Sequence, residues 1–148
     1  MDFCVKVRNK LPGHFYNKRV LDIGFFSKYG TNEKLFENCN YHKMDVGGDL
    51  NFISRDMSSR YDTIIATKCF EYDMFYEISI WHSLGLLSFG GLFLFTCEQR
   101  DPKETECAYC SIVTEVMIKS FIDVGKVFSE HLFESDNGNS FFYGIKKS

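Results

Sequence analysis

Two short stretches, Val20-Leu21-Asp22-Ile23-Gly24 and Tyr41-His42-Lys43-Met44-Asp45, carry the residue types from which this chain could build a site. They read as two buried strands, each ending in an acidic residue. In a parallel α/β sheet the carboxyl ends of the strands line one crevice, and a carboxylate at the end of the second strand can accept both hydroxyls of a ribose. Asp22 and Asp45 lie roughly 20 residues apart, the distance a βαβ unit needs to bring two strand ends together. The chemistry indicated is the grip on a nucleotide-like cofactor.

The elements that must position these residues alternate along the chain. Residues 3–11 place apolar or small side chains at helical spacing and are closed by Pro12-Gly13. Strands are expected at 19–23 and 41–46, with a short helix at 32–36 between them. Residues 50–54 are a candidate third strand after Gly47-Gly48-Asp49, and 61–67 are rich in β-formers. Residues 74–87 carry Phe75, Ile78, Trp81, Leu84 and Leu87 close to a helical stripe. Ser88 to Gly91 is expected to break that helix before a buried strand at 92–97. A helix over about 106–122 and strands at 127–133 and 140–145 complete the pattern. The turn Asp136-Asn137-Gly138-Asn139 is a strong hairpin signal.

At 148 residues and 45% hydrophobic, the chain is long enough for one domain, residues 1–148, with a proper core. Sixteen Phe and only two Pro predict a ring-filled interior. The net charge of −3 argues against nucleic-acid binding, which needs clustered Lys and Arg. No apolar run is long enough for a membrane span, and no signal pattern opens the chain, so a cytoplasmic protein is expected. The six Cys are scattered, as in a reduced compartment. Cys107 and Cys110 form one CxxC pair without a second pair or matching histidines, so packing is favoured over a metal site.

In order and spacing the chain resembles the small class I S-adenosylmethionine-dependent methyltransferases. Val20-Leu21-Asp22-Ile23-Gly24 looks like their first motif, Asp45 like the ribose carboxylate, and Tyr61-Asp62-Thr63-Ile64-Ile65 like their fourth strand. Gly90-Gly91-Leu92-Phe93-Leu94-Phe95-Thr96 is similar to the turn and fifth strand, and Phe141-Phe142-Tyr143-Gly144-Ile145-Lys146 to the last strand. The resemblance implies a three-layer α/β, Rossmann-like sheet of about seven strands, the last antiparallel. It also implies S-adenosylmethionine as cofactor and methyl transfer to an unidentified acceptor, with a small molecule as the default. Asp22 would orient the methionine end, Gly24 would let the backbone approach it, and Asp45 would hold the ribose. Gly30 stands where small relatives keep a later glycine, and Asp56, with Met57 and Ser58, is the candidate to cover the adenine. Cys69-Phe70-Glu71-Tyr72-Asp73 would face the methyl group, with Cys69 beside the cofactor and Glu71 and Tyr72 as the candidate catalytic pair.

Each residue also has a purely structural reading. Asp22 or Asp45 could cap a helix, Gly24 could only make a turn, and Glu71 could cap the helix that follows it. Phe25 and Phe26 replace the usual glycine run, and the expectation is that at most one ring enters the cofactor space while the other lies under the sheet. These departures leave a second reading open, a catalytically degenerate methyltransferase fold acting as a binding or assembly module. A nicotinamide dehydrogenase would need G-x-G-x-x-G at the first turn, which Gly24-Phe25-Phe26-Ser27 does not supply.

Overall fold

The computed structural model describes residues 2–45, 60–98 and 113–148. Six strands form one sheet: β1 (Arg19–Gly24), β2 (Asn40–Asp45), β3 (Tyr61–Thr67), β4 (Leu87–Cys97), β5 (Phe128–Asp136) and β6 (Asn139–Lys146). Their order is β2-β1-β3-β4-β6-β5. The first four run parallel, and β6 lies antiparallel between β4 and β5. This is the expected α/β architecture with an antiparallel last strand, at six strands among the described residues rather than seven. The expected strand at 50–54 lies outside them.

The central strands are buried on both faces, which is why they read as continuous apolar runs rather than alternating ones. One face presents Leu21, Ile23, Ile64, Ala66, Phe93, Phe95 and Phe142 to helices α3 (Tyr76–Leu86) and α4 (Glu115–Phe121). Phe142 is the hub of its rings, with centroids 4.6 Å from Phe133, 5.2 Å from Phe128 and 5.3 Å from Phe95. The opposite face presents Val20, Ile65, Leu92, Leu94 and Tyr143 to α1 (Phe3–Lys10), Phe15 and Leu35. Asp2 starts α1 by accepting the Cys4 and Val5 N–H groups. No long helix crosses from β1 to β2; that connection holds only the four-residue α2 (Phe26–Tyr29) and a 3-10 turn at Glu33–Leu35.

Two local expectations are corrected. Residues 88–91 do not interrupt the chain between helix and strand, because β4 already begins at Leu87 and takes them up as a bulge. Tyr61 pairs with Leu87 and Thr63 with Leu92, and Gly90 supplies the left-handed φ of 75° that the bulge needs. The helix expected over 106–122 begins at Glu115, where the Thr114 hydroxyl caps the Met117 N–H; residues 99–112 lie outside the described set. A short helix not anticipated, α5 (Val124–Val127), follows under an Asp123 cap.

The helix expected over 74–87 is α3, and part of its apolar stripe faces outward. It buries Ser79, Ile80, Ser83, Leu84 and Leu86, leaving Phe75, Ile78 and Trp81 about half exposed. The two serines go inside because both are satisfied there: Ser83 donates to the Ser79 carbonyl at 2.7 Å and Ser79 to the Asp73 carboxylate. Small, hydrogen-bonded side chains let the helix lie against the sheet, and its bulky apolar face is turned outward. The terminal hairpin closes as expected, with Asn137 at φ 49° and Gly138 at φ 80°, as a type I′ turn requires. Among the described residues no helix is long and apolar enough to cross a membrane.

Gly144 is the tightest point of the β4-β6-β5 layer, since a Cβ there would sit 2.5 Å from the Phe128 ring. Gly144→Ala is expected to cost about 1–3 kcal/mol by overpacking, read as a lower urea midpoint at unchanged slope. Unchanged stability would mean that Phe128 is not seated on this strand.

Candidate functional site

The parallel register brings the strand ends together: Gly24 pairs with Asp45 on one side and with Thr67 on the other, and Thr67 with Thr96. Asp45 is exposed at the end of β2, and among the described residues its carboxylate makes no hydrogen bond or ion pair. It is a carboxylate held in register beside a glycine at the strand ends.

Gly24 does allow a close approach, and the group that makes it is Phe26. The ring lies 2.7 Å from where a Cβ of Gly24 would be, with the Lys43 ammonium 5.8 Å from its centroid. Phe25 is partly exposed and stands edge-on to Tyr72 and Tyr29 at 5.6 and 6.4 Å. Neither ring is buried beneath the sheet. The expectation assumed strand-like alternation, whereas the chain enters α2 at Phe26 and successive side chains diverge by a helical step instead. Gly30 ends α2 at φ 70° with open space around it, turning the chain toward residues 31–35.

Asp22 is fully buried. Its carboxylate accepts the Asn32 N–H at 2.8 Å, the Asn32 side-chain amide at 3.1 Å and the Tyr41 hydroxyl, and Asn32 also donates to Thr67 Oγ1 at 2.8 Å. Burial raises its pKa while these bonds and Lys43 pull it down. Asp22 thus ties β1, β2, β3 and the loop after α2 into one network and acts on the site through that loop. Above the network a cleft of about 340 Å³ opens between the start of α1, the loop and the ends of β3 and β4, with Phe3, Asn32, Thr67 and Thr96 among its walls. The Lys68–Glu98 ion pair, at 3.2 Å, borders it. No local pattern in the sequence announces this cleft, because α1 and the sheet edge meet only through the fold.

The segment after β3 divides its roles. Cys69 has its thiol in the core at 0% exposure, so its side chain is withheld from the crevice, contrary to the place expected for it. Asp73, rather than Glu71, serves the following helix, accepting the Phe75 N–H at 2.8 Å and the Ser79 hydroxyl. Glu71 is 2% exposed, accepts the Glu98 N–H through Oε1 at 3.2 Å, and has no partner for Oε2 among the described residues. Burial pushes it up to about 7 against the bonds from Glu98 and the Cys97 thiol. Tyr72 is half-buried and shares a hydrogen bond with the Tyr29 hydroxyl. Asp56 lies outside the described residues.

The raised Glu71 has a thermodynamic consequence. Between its ordinary value of 4.5 and about 7 the folded chain keeps a proton that the unfolded chain releases. Stability therefore falls as pH rises through that window, by roughly 3 kcal/mol for this group. Glu71→Gln is expected to abolish that part of the dependence, so urea denaturation at pH 4.5 and 7.5 should show a smaller loss for the variant than for the parent. Parallel losses would mean that Glu71 titrates as a surface carboxylate does. Asp22→Ala, which strands the Asn32 and Tyr41 donors, is expected to cost about 2–4 kcal/mol by the same measurement.

No family model and no curated protein matches the sequence. Solved structures do match. The CurJ carbon methyltransferase aligns over 97% of this chain and 52% of its own, at 16% identity and a TM-score of 0.61. The chain thus spans about half the length of that protein. The N-methyltransferase NodS of Bradyrhizobium japonicum, in complex with S-adenosylhomocysteine, aligns over 98% and 86% at 15% identity and 0.61. A putative methyltransferase of Bacillus halodurans aligns over the full length of both chains at 8% identity and 0.63. Sheet order, the antiparallel β6 and these alignments agree: the chain has the class I, Rossmann-like fold of S-adenosylmethionine-dependent methyltransferases.

Proposed function

We propose that the protein binds S-adenosylmethionine at the carboxyl edge of its sheet and transfers the methyl group to a small-molecule acceptor. The observation that carries this reading is the exposed Asp45 carboxylate, held in register beside Gly24 and left without a partner among the described residues. One residue fits the cofactor directly: Asp45 would accept the ribose hydroxyls, while Phe25 and Tyr72 pack edge-on nearby with the Lys28 ammonium over the Tyr72 ring. Gly24 and Gly30 shape the turn beneath. When bound, the cofactor supplies an electrophilic methyl group on a sulfonium.

The chain's own part is positioning and proton handling. Holding the acceptor in line is the larger contribution, and an acceptor already unprotonated needs nothing else. Tyr72 has the access for that task, and its phenol donates a hydrogen bond well but is a poor base at neutral pH. Glu71 has the matching pKa, about 7, and takes the proton from acceptors that must lose one. A nucleic acid is disfavoured as acceptor by the net charge of −3.

One observation favours the second reading, a degenerate fold serving as a binding or assembly module: the Phe26 ring already fills the approach that Gly24 permits. Calorimetry separates the two. The folded protein is expected to bind S-adenosylhomocysteine with a Kd of about 1–50 μM. Asp45→Ala should weaken that binding by about 1.5–3 kcal/mol at an unchanged melting temperature. Absence of heat from folded protein, with binding appearing in Phe26→Ala, would identify Phe26 as a plug and establish the module reading.

A further inference from the structure

We infer that the outer face of α3 is a two-fold interface between two copies of this chain. Met74, Phe75, Ile78 and Trp81 project from this helix and the turn before it, and Phe89 projects from the β4 bulge at 66% exposure. Side chains of this size carry ~150–250 Å² each when aromatic. Five of them about half exposed amount to roughly 500 Å² of apolar surface, at the upper end of what a monomer shows. That supplies the apolar centre of an interface taking ~800 Å² from each partner.

The shape of the face argues for a second copy. Met74, Phe75 and Ile78 form a ridge at the amino end of α3, whereas Trp81, Leu84, Gly85 and Phe89 line a groove of about 420 Å³ at its carboxyl end. Gly85 lies in the helix with no described atom within 4 Å of its Cβ position, so nothing in the chain's own packing requires a glycine there. Gly85 lies in the last turn of α3 and is exposed, and the missing side chain leaves a notch there for a facing side chain. A two-fold axis running the helices antiparallel seats the ridge of each copy in the groove of the other.

Charge selects the same arrangement. Lys126, Lys146 and Lys147 rim the groove, Lys126 paired with Asp123, Lys146 held by the Leu84 and Leu87 carbonyls and Lys147 donating to the Gly125 carbonyl, while the exposed Glu77 lies in the first turn of α3. Antiparallel pairing brings Glu77 of each copy to the lysine rim of the other, whereas parallel pairing opposes like charges. Ridge, groove, notch and opposite charges thus sit on one surface in self-complementary order.

Sedimentation equilibrium of the full chain tests this between about 2 and 200 μM. A dimer with a Kd in the micromolar range is expected. Trp81→Glu and Gly85→Leu should each weaken it at least about 30-fold. Gly85→Leu also replaces a poor helix former, so its helical circular dichroism and melting temperature should hold, which keeps the test decisive if Trp81→Glu does not fold. Glu77→Lys should weaken the dimer about 3–10-fold, with recovery when Lys147→Glu is added. A chain that stays monomeric throughout overturns the inference and leaves the face to a different partner. So does a dimer indifferent to both Trp81→Glu and Gly85→Leu.

Discussion

A carboxylate buried at the centre of a sheet must be supplied with donors, and Asp22 is in that position. Its partners come from outside β1: the backbone and side chain of Asn32 and the hydroxyl of Tyr41 on β2. Meeting the needs of one charged group therefore locks the loop after α2, and Asn32 carries the constraint to β3 through Thr67. The same network compensates for the missing crossover helix, since a four-residue α2 and a 3-10 turn could not by themselves hold the chain against that face. The crevice above inherits its floor from this arrangement.

Burial sets the chemistry of neighbouring groups in opposite directions. Cys69 and Cys97 are enclosed, their thiols pushed up and protonated, so they behave as small core hydrophobes. Glu71, enclosed beside them, has one oxygen without a partner among the described residues, and burial pushes it up to about 7. Asp45, at the end of β2, is exposed. The sheet edge thus carries one exposed and one buried carboxylate, distinguished by depth.

Much of the fold is legible because its signals are local. The strand at Tyr61–Thr67 matches the expected range at both ends, and the Asn137-Gly138 hairpin is set by φ values that few other dipeptides adopt. The bulge at residues 88–91 and the start of α4 at Glu115 were misread where one residue type serves two purposes: glycines that interrupt a helix also bend a strand, and a threonine within a helical pattern also caps one. Of the site, Gly24 and Asp45 were placed by strand period and spacing, whereas the Phe26 ring over Gly24 and the cleft beside α1 left no local trace.

By itself the sequence determined the alternation of strands and helices, the Asp45 strand end and the closing hairpin, because periodicity and turn chemistry act within a few residues. By contrast β2, read as a buried strand, is an exposed edge strand, and Asp22 lies inside β1. Tertiary structure decided which of these groups are used and which remain free. The side of α3 that faces out depends on whether Ser79 and Ser83 find acceptors inside, and the engagement of Asp22 depends on residues 10 and 19 positions away. The depth of Glu71 rests on a backbone amide 27 positions along the chain. Burial and hydrogen-bond satisfaction are properties of neighbours in space, and those neighbours exist only once the chain has folded.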